Sequence, residues 1–333
     1  MASSYSNLHP VDEILTSLVG EAVPSDNQLI ADKVFENITI PQRSGTLLLE
    51  ESRNFTGAAA GLDIQRAPGA SRVTIGGFDR SSQTYMAHPY GVREAIAMLD
   101  IRDSQYPGSE EARMAKKIAR AVKLAREKRA ADLLFGTTNF SDSNCTAEFG
   151  GKWNVAGAEP LSDLHELKDT VFAAAHGINP DSLVMGREVF RQLARNPEVR
   201  GYVGSSSAGI ASGNRILNDE AVLEVLRDVL GIPNVYVGQA RQDTAVPGAT
   251  ANESYIWTGD SLFMGILHGS DAIVQKSGNV KGMPVAALNL QYQPIESGQW
   301  DSNDGIRRYV WAEEINVFHA VDSTLGYIIT DCL

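Results

Sequence analysis

One stretch of this chain leaves the backbone little choice of structure. Residues 110–135 contain neither proline nor glycine, so nothing interrupts a helix of 26 residues. Ser109 suits the amino-terminal cap, the two glutamates that follow suit the positive end of the helix dipole, and Gly136 ends the run. Such a helix would be about 39 Å long at 1.5 Å per residue, whereas helices in globular proteins average about three turns. We therefore predict an unusually long, straight helix.

The apolar positions of this helix predict how it is seated. They form a thin stripe of mostly small side chains: Ala115, Ile118, Val122, Ala125 and Leu133. A narrow stripe covers one flank of a helix and leaves the rest in water. We expect the helix to lie across another layer and not to be enclosed in a core.

The same helix concentrates positive charge in an acidic chain. Eight basic and four acidic residues give it a net charge of +4, and since the whole chain carries −12, the remainder carries −16. The basic residues are Arg113, Lys116, Lys117, Arg120, Lys123, Arg126, Lys128 and Arg129. Lys116, Arg120 and Lys123 follow the i, i+4, i+7 spacing of one helix face. This face is either simply solvated or pairs with acidic surface on a neighbouring copy, because a chain divided in charge this way complements itself.

Residues 34–90 have a different pattern, typical of short strands. The runs "KVFENITI", "GTLLLEE", "RVTIGGF" and "QTYMAHPY" are strand-like, and "TGAAAGLDIQRAPGAS" between them is rich in glycine and alanine. This order predicts a long hairpin whose tip has nothing to bury against in its own chain. Because an isolated hairpin is only marginally stable, we expect it to rest on a partner.

Helices and strands alternate over residues 161–275, which predicts a mixed α/β domain. Leu164, Leu167, Val171 and Ala175 share one helix face, and "DSLVMG" reads as a short buried strand. "REVFRQLARNP" predicts a helix, and "NDEAVLEVLRDVLGIP" predicts another that Asn218 caps. "NVYVGQA" and "SYIWTGDSLFMGILHG" follow as strands. The tail over residues 283–331 is mostly β.

Composition excludes several classes of protein. The chain has 333 residues, of which 43% are hydrophobic and 21% charged, as in a soluble globular protein. A charge of −12 argues against a main surface that grips nucleic acid. No apolar run approaches the roughly 18 residues of a membrane span, and the amino terminus shows no signal-peptide pattern. Cys145 and Cys332 are far apart, without a disulfide framework. We expect an intracellular protein without a membrane partner.

Catalytic and metal-binding motifs find no support, so we assign no catalytic, cofactor or metal residues and expect a protein that is not an enzyme. The serine-glycine run "YVGSSSAGIASGN" at 202–214 lacks both the G-x-S-x-G spacing of a nucleophile elbow and the lysine of a P-loop. The six histidines show no H-x-x-x-H spacing. We interpret the run as a connector between two helices, and the role of residues 204–213 stays open.

Taken in order, several stretches resemble the major capsid proteins of tailed bacteriophages, whose shell fold is shared with encapsulins and the floor of herpesvirus capsids. They are "IADKVFENITIPQRSG", "IQRAPGASRV", "KRAADLLFG", "GINPDSLVMGREVFRQLARNPEVRGYVG", "LGIPNVYVGQARQDTA" and "SYIWTGDSLFMGIL". No single motif is decisive, but the ordered set runs from about residue 29 to 268 and is specific.

The resemblance implies an α+β phage major-capsid fold in four parts. Residues 1–44 would be an amino-terminal arm that reaches over a neighbour, and 45–87 an extended β-hairpin loop. Residues 88–160 and 276–333 would form a peripheral domain whose spine is the helix at 110–135. An α/β axial domain at 161–275 would meet its copies around five-fold and six-fold positions.

The resemblance also implies the function and the partners. The protein would assemble with itself, in hexamers and pentamers, into an icosahedral shell around double-stranded DNA, which it would hold without sequence specificity. A separate scaffolding protein, a portal at one vertex and a decoration protein are expected partners. The location would be the virion, after assembly in the cytoplasm of a bacterial host. Candidate contacts between copies are Arg66, Arg72, Arg113, Lys116, Arg120 and Lys123.

Two details refine this expectation. Some members of the family join a hairpin lysine to an asparagine of a neighbour, but this chain has no lysine between Lys33 and Lys116. We therefore predict shells held together without covalent links. The arm-like sequence begins within about thirty residues of Met1, so we expect a separate scaffolding protein and not a fused amino-terminal scaffolding domain.

Two alternatives remain. An encapsulin-like compartment has the same fold but encloses cargo enzymes, and neighbouring terminase and portal genes would distinguish a phage shell from it. An enzyme on a mixed α/β scaffold would be a monomer or a small oligomer with a polar pocket.

Overall fold

The computed structural model of the chain describes residues 29–50, 65–66, 68–69, 80–103, 109–149, 151–206, 218–246, 248–257, 259–268, 273–274, 280–281 and 285–333. Its helices are α1 (Ala31–Val34), α2 (Met98–Asp103), α3 (Ser109–Leu134), α4 (Cys145–Glu148), α5 (Pro160–Ala174), α6 (Arg187–Arg195), α7 (Pro197–Ser206) and α8 (Asp219–Leu230). Its strands are β1 (Asn37–Thr39), β2 (Ser44–Glu50), β3 (Arg80–Met86), β4 (His88–Ala97), β5 (Ser141–Asn144), β6 (Ser182–Gly186), β7 (Asn234–Gly238), β8 (Arg241–Asp243), β9 (Glu253–Tyr255), β10 (Leu262–Gly265), β11 (Ile273–Val274), β12 (Val280–Lys281), β13 (Ala287–Asp301), β14 (Arg307–Ala320) and β15 (Gly326–Thr330).

A four-stranded sheet in the order β1-β13-β14-β4 supports the long helix. β13 and β14 form an antiparallel ladder with irregular register between Gln291 and Glu296, and β4 pairs antiparallel with β14. The helix predicted at 110–135 is present as α3, and it packs across β14 and β4. The expectation that it lies across another layer is confirmed.

The buried stripe of α3 differs from the predicted one in its second half. Ala115, Ile118 and Val122 are buried as expected, but Ala125 is exposed and Leu133 only half-buried. The inward face continues from Val122 at intervals of four residues, so it passes through Arg126, Ala130 and Leu134. The prediction selected apolar residues only. It therefore left out Arg126, although this residue continues the buried face at the same spacing.

The second main sheet has five strands in the order β5-β15-β10-β6-β7, and α5, α6 and α8 pack against it. β6 and β7 are parallel, whereas β10 runs antiparallel to both β6 and β15. All five residues of β6 are buried, as its apolar run predicted. The sheet thus takes β5 and β15 from stretches that the sequence analysis assigns to the peripheral domain.

The predicted cap of α8 is confirmed in detail. The side-chain oxygen of Asn218 accepts a hydrogen bond from the backbone N–H of Ala221 at 2.9 Å. Gly231 ends the helix with a φ of 63°, in the left-handed region that glycine enters without steric cost. Local sequence therefore determines both ends of this helix.

The base of the predicted hairpin is a two-stranded antiparallel ladder. β2 pairs with β3 from Ser44 opposite Met86 to Glu50 opposite Arg80. The Gln83 amide donates to the backbone oxygen of Val321 at 2.9 Å, which fastens the ladder to the body of the chain. Most of the hairpin between the two strands, including most of its predicted tip, lies outside the described residues.

The described part of the predicted arm packs on its own chain. Ile30, Val34 and Phe35 are buried, and the ring of Phe35 lies 4.9 Å from that of Phe318. β1 pairs parallel with β13. Residues 1–28 lie outside the described part of the chain. Residues 207–217, which include most of the serine-glycine run at 202–214, also lie outside it, although α7 extends to Ser206.

Candidate functional site

Four of the predicted contact residues occupy one face of α3. Arg113, Lys116 and Arg120 are exposed, and Lys123 is half-buried and interacts within the chain. Their spacing of three, four and three residues keeps the row on one flank of the helix. The opposite flank holds Met114, Ala115, Ile118, Ala119 and Val122 against Val310 and Ala312 of β14. Packing on the sheet therefore turns the basic row outward.

Weak intramolecular ion pairs leave much of this charge available. The side chain of Arg113 is 81% exposed and lies 3.7 Å from Glu110, and Lys117 lies 2.6 Å from Glu94. Within the described part of the chain, Lys116 and Arg120 form no salt bridge. Exposed pairs contribute little to stability, so these cations do little for the fold.

The other two predicted contacts are on the hairpin. Arg66 is exposed and interacts within the chain. Arg72 lies outside the described residues. The structure therefore brings the four α3 residues together on one helix face.

The second half of α3 uses its charges inside the fold. Arg126 donates from one guanidinium nitrogen to Asp32 and from another to Glu314, and Arg129 donates to the other carboxylate oxygen of Glu314. The Glu314 side chain is fully buried, and Arg129 stacks at 3.4 Å from the ring of Tyr90. These contacts join α1, α3 and β14 through one shared carboxylate.

The neighbouring carboxylates keep Arg126 charged. Burial by itself lowers the pKa of Arg126, but the carboxylates of Glu314 and Asp32 outweigh it and raise that pKa above its usual value. Arg126 therefore keeps its charge in a site with little water. The Nε atom of Arg126 and the Nε and Nη1 atoms of Arg129 are buried with no hydrogen-bond partner, so the site depends strongly on its ion pairs.

Glu127 forms a second buried junction on the same turn of α3. The backbone N–H of Ala31 donates to one of its oxygens at 2.6 Å, and the indole N–H of Trp257 donates to the other at 2.7 Å. Burial raises the pKa of Glu127 to about 7, although both hydrogen bonds oppose the rise. The carboxyl group thus ties the helix to α1 on one side and to the segment after β9 on the other.

Trp257 fits this junction because its neighbour has no side chain. The residue is fully buried, and an added Cβ at Gly238 would lie only 2.2 Å from Cγ of Trp257. Phe135 meets the indole edge-on with ring centroids 5.6 Å apart. The end of α3 is therefore held against the second sheet by close packing as well as by the hydrogen bond.

A third polar cluster lies at the end of β10. The carboxylate of Asp181 accepts from the backbone N–H groups of Leu267 at 2.9 Å and His268 at 3.0 Å. Burial raises the pKa of Asp181 despite these hydrogen bonds. Tyr236 and His268 are hydrogen-bonded at 3.1 Å. The carboxylate of Asp181 thus binds main-chain N–H groups and stabilises the chain directly after β10.

A groove of about 440 Å³ separates α5, α7 and α8. It is lined by Leu161, Ser162, His165, Glu198, Gly201, Tyr202 and Val229. Its carboxylate is already engaged, because Glu198 accepts from the backbone N–H of Leu161 at 2.9 Å. No group of three or more His, Cys, Asp and Glu side chains among the described residues could hold a metal ion.

The two cysteines, which are far apart in the sequence, lie side by side in the structure. The Sγ atoms of Cys145 and Cys332 lie 2.7 Å apart, and both residues are buried and free. Parallel pairing of β5 with β15 brings the two ends together across the sequence. Sequence separation concealed this proximity.

The candidate sites of this chain are thus an outward basic row and internal junctions, with charges used for packing and pairing. None of the described helices is both long and apolar enough to cross a membrane.

No family model matches the sequence. The major capsid protein of Pseudomonas phage JBD67 is 21% identical to this chain over 259 residues, which are 77% of each protein.

Solved structures show the same architecture over nearly the whole chain. A phage-related protein from Bordetella bronchiseptica RB50 has a TM-score of 0.67 at 19% identity, covering 97% of this chain and 98% of that one. A virus-like particle from Pyrococcus furiosus has a TM-score of 0.57 at 11% identity, covering 95% and 98%. The capsid structure of cyanophage P-SCSP1u has a TM-score of 0.55 at 8% identity, covering 99% and 95%.

This chain therefore has the phage capsid fold, with the mixture of helices and strands that the sequence predicted. The sequence likeness to a phage major capsid protein agrees with the resemblance stated from the sequence.

Proposed function

We propose that this chain is the major capsid protein of a bacteriophage, and that many copies assemble into an icosahedral shell around the double-stranded DNA genome. One observation carries the proposal: the chain shares the capsid fold over nearly its full length and is also similar in sequence to a phage major capsid protein. The described residues offer no competing catalytic constellation, so we assign no catalytic step.

The charge distribution suits association between copies. The exposed row on α3 presents Arg113, Lys116 and Arg120, while the rest of the chain carries a net negative charge. Complementary potentials favour encounter and fix the register of an interface. A specific interface typically buries about 1,600 Å², and each contact is repeated throughout a closed shell, which gives a large collective stability.

We propose that the hairpin built on β2 and β3 and the residues before Leu29 provide further contacts between copies. The α3 layer with its four-stranded sheet would form the peripheral domain, and the helices on the five-stranded sheet would form the axial domain. Because β5 and β15 pair within that second sheet, we extend the proposed axial domain by residues 141–144 and 326–330.

The further partners rest on the resemblance to the capsid family. We propose a separate scaffolding protein during assembly in the host cytoplasm, a portal at one vertex and, in the finished virion, a decoration protein. The acidic balance of the chain suits a lumen that does not bind packaged DNA tightly. A strongly basic lumenal surface in an assembled particle would contradict this last point.

Electron microscopy of the purified chain tests the proposal. We expect closed icosahedral particles, or hexamers and pentamers, when the chain is expressed alone or with the scaffolding protein from the same genome. A chain that stays monomeric under both conditions, at concentrations where a known capsid protein assembles, would contradict the proposal. On a denaturing gel the particles should separate into single chains, since the proposed shell has no covalent links.

An encapsulin-like compartment, the alternative that the shared fold allows, is not favoured over the phage shell by the structures and the sequence that resemble this chain. Particles purified from the native source distinguish the two. Encapsidated DNA, together with terminase and portal genes beside the gene for this chain, would support the phage shell. A discrete cargo protein without DNA would support the compartment.

A further inference from the structure

The fold brings two distant thiols together. Cys145 and Cys332 are 187 residues apart in the sequence, yet their sulfur atoms lie 2.7 Å apart. Non-bonded carbon atoms pack at about 3.5–4.0 Å, and sulfur is larger than carbon. The pair is therefore closer than ordinary packing brings two side chains, and little movement separates it from the roughly 2.05 Å of a disulfide bond.

Main-chain hydrogen bonds hold Cys332 in this position. Its carbonyl oxygen accepts from the backbone N–H of Trp153 at 2.9 Å, and its own N–H donates to the carbonyl oxygen of Asp260 at 3.0 Å. Cys145 directly follows β5, which runs parallel to β15 up to the pair of Asn144 with Thr330. The proximity of the thiols thus follows from strand register and not from flexible side chains.

The chain end also makes polar contacts that are partly exposed. The ammonium group of Lys152 donates to the carboxylate of Asp331 and, at 2.6 Å, to the carbonyl oxygen of Leu333. The Asn144 amide donates to Asp331 at 3.3 Å. A partly exposed ion pair contributes little to stability. A covalent link beneath it would therefore change how firmly the end is held.

We propose that Cys145 and Cys332 form a redox site, with two thiols under reducing conditions and an intrachain disulfide under oxidising conditions that locks β15 and the chain end to β5 and α4. The pairing does not depend on the proposed shell function. Only its timing does: the thiols would stay reduced during assembly in a host cell and become oxidised after release.

The chemistry balances with glutathione disulfide as the oxidant. One cysteine thiolate attacks a sulfur of glutathione disulfide, breaks its S–S bond and releases one glutathione. The second cysteine thiolate attacks the mixed disulfide and releases the other glutathione. The two protein thiols thus give two electrons to the oxidant, and their two protons end on the two glutathione thiols.

The surroundings of the pair make this reaction slow in the closed fold. The neighbouring thiol of Cys145, together with burial, raises the pKa of Cys332, so that little thiolate is present. Both residues are fully buried. Oxidation should therefore require the chain end to open, which makes time and temperature part of the experiment.

Mass spectrometry of the full-length chain tests the proposal. The reduced protein is incubated with glutathione disulfide, sampled over time, denatured in acid and alkylated. We expect both alkylation sites to disappear together, a mass lower by two hydrogen atoms, full reversal by dithiothreitol, and one cross-linked peptide containing Cys145 and Cys332. The thermal midpoint should rise by roughly 5–10 °C on oxidation.

Single substitutions supply the controls. Cys145→Ser and Cys332→Ser should each form no intrachain disulfide, so the remaining cysteine is recovered either alkylated or carrying one glutathione, and neither variant should show the rise in the thermal midpoint with the oxidant. A second arm oxidises the wild-type chain during refolding, which removes any barrier to access. Two thiols that remain alkylatable in both arms, or disulfides that join different chains, would overturn the proposal.

The outcome is independent of the shell experiment. Particles that form from a chain with two persistent thiols would overturn the redox site alone. A chain that forms the intrachain disulfide but never assembles would overturn only the proposed function.

Discussion

The two halves of α3 contain the same kinds of residue and use them in opposite ways. In the first half, Arg113, Lys116 and Arg120 point to solvent above an apolar seat. In the second half, Arg126 and Arg129 point into the chain and share the buried carboxylate of Glu314. One continuous helix is thus an outward basic surface at one end and an internal clamp at the other.

The difference teaches how position on a helix decides what a charge does. An exposed cation retains its hydration and adds little to folding, so it is available to a partner. A buried cation must be matched within the chain, because an unpaired charge away from water is costly. The first half is therefore the better candidate for assembly contacts, and the second half for stability.

The largest effect on folding should come from the shared carboxylate. Glu314→Gln removes the buried carboxylate that Arg126 and Arg129 share and leaves Arg126 with only the half-exposed Asp32, and removing one partner of a buried pair costs about 3–5 kcal/mol. Chemical denaturation of the unassembled chain measures the free energy of unfolding.

The adjacent residue provides the matched control. Glu313 lies on the same strand and, because side chains alternate, on the opposite face. We expect Glu313→Gln to change the free energy of unfolding by at most about 0.5 kcal/mol. If both variants lost the same free energy of unfolding, the pairing of Arg126 and Arg129 with Glu314 would not be what stabilises this end of α3.

The next largest effect should be a dependence on pH. The pKa of Glu127 is about 7 in the folded chain against 4.5 when unperturbed, so the folded chain retains a proton that the unfolded chain has released. Its contribution to stability is therefore fully present below pH 4.5 and is lost as the pH rises to about 7, a change of about 3 kcal/mol.

Comparison with Glu127→Gln isolates this contribution. Other buried acids, such as Asp181, titrate in both proteins and cancel in the difference. The nearby carboxylate of Asp32 contributes to the raised pKa of Glu127, so the titration should be repeated in Asp32→Asn, where the midpoint should fall. The free energy of unfolding is plotted against pH for Glu127→Gln and for wild type. Two plots that stay parallel between pH 4.5 and 7 would contradict the prediction.

A smaller effect on stability is expected from the apolar residues that pack the first half of α3 on β14. Ile118 is 1% exposed and packs among Met114, Val122 and Val310. Ile118→Val should cost about 1 kcal/mol, since it removes one buried methyl group and leaves a small cavity. Val92 on the neighbouring β4 is 40% exposed, and Val92→Ala should cost clearly less. Denaturant midpoints of the two variants make the comparison.

The smallest effect on folding should come from the outward row. Lys116→Ala with Arg120→Ala should change the free energy of unfolding by at most about 0.5 kcal/mol. The same double variant should need a higher protein concentration to assemble, as followed by light scattering, and wild-type assembly should weaken with salt, because exposed charges are screened. Unchanged assembly in the double variant would remove these residues from the proposed interface.

Much of the fold could be predicted from local sequence. The uninterrupted run at 110–135 gave α3 almost to the residue, and the Asn218 cap and Gly231 gave both ends of α8. These signals are local, because capping and helix propensity act within a few residues. The base of the hairpin followed from alternating strand-like runs.

The internal junctions could not be predicted in this way. Nothing near Glu127 in the sequence points to Trp257, and nothing near Arg126 points to Glu314, because these partners are 130 and 188 residues away. The one available signal was that Arg126 continues the line of buried positions through Ile118 and Val122 at intervals of four. A charged residue on a buried line predicts a buried partner, but not which one.

By itself, the sequence determined the length of α3, the caps of α8, the buried strand β6 and the charge division of the chain, since each depends on neighbouring residues or on simple counts. Only the tertiary structure decided which cations face solvent, which acid is neutralised by burial, and that Cys145 lies beside Cys332. The physical reason is that sheet register and helix rotation bring together residues that the chain keeps far apart, and burial then sets the energy of every charge they carry.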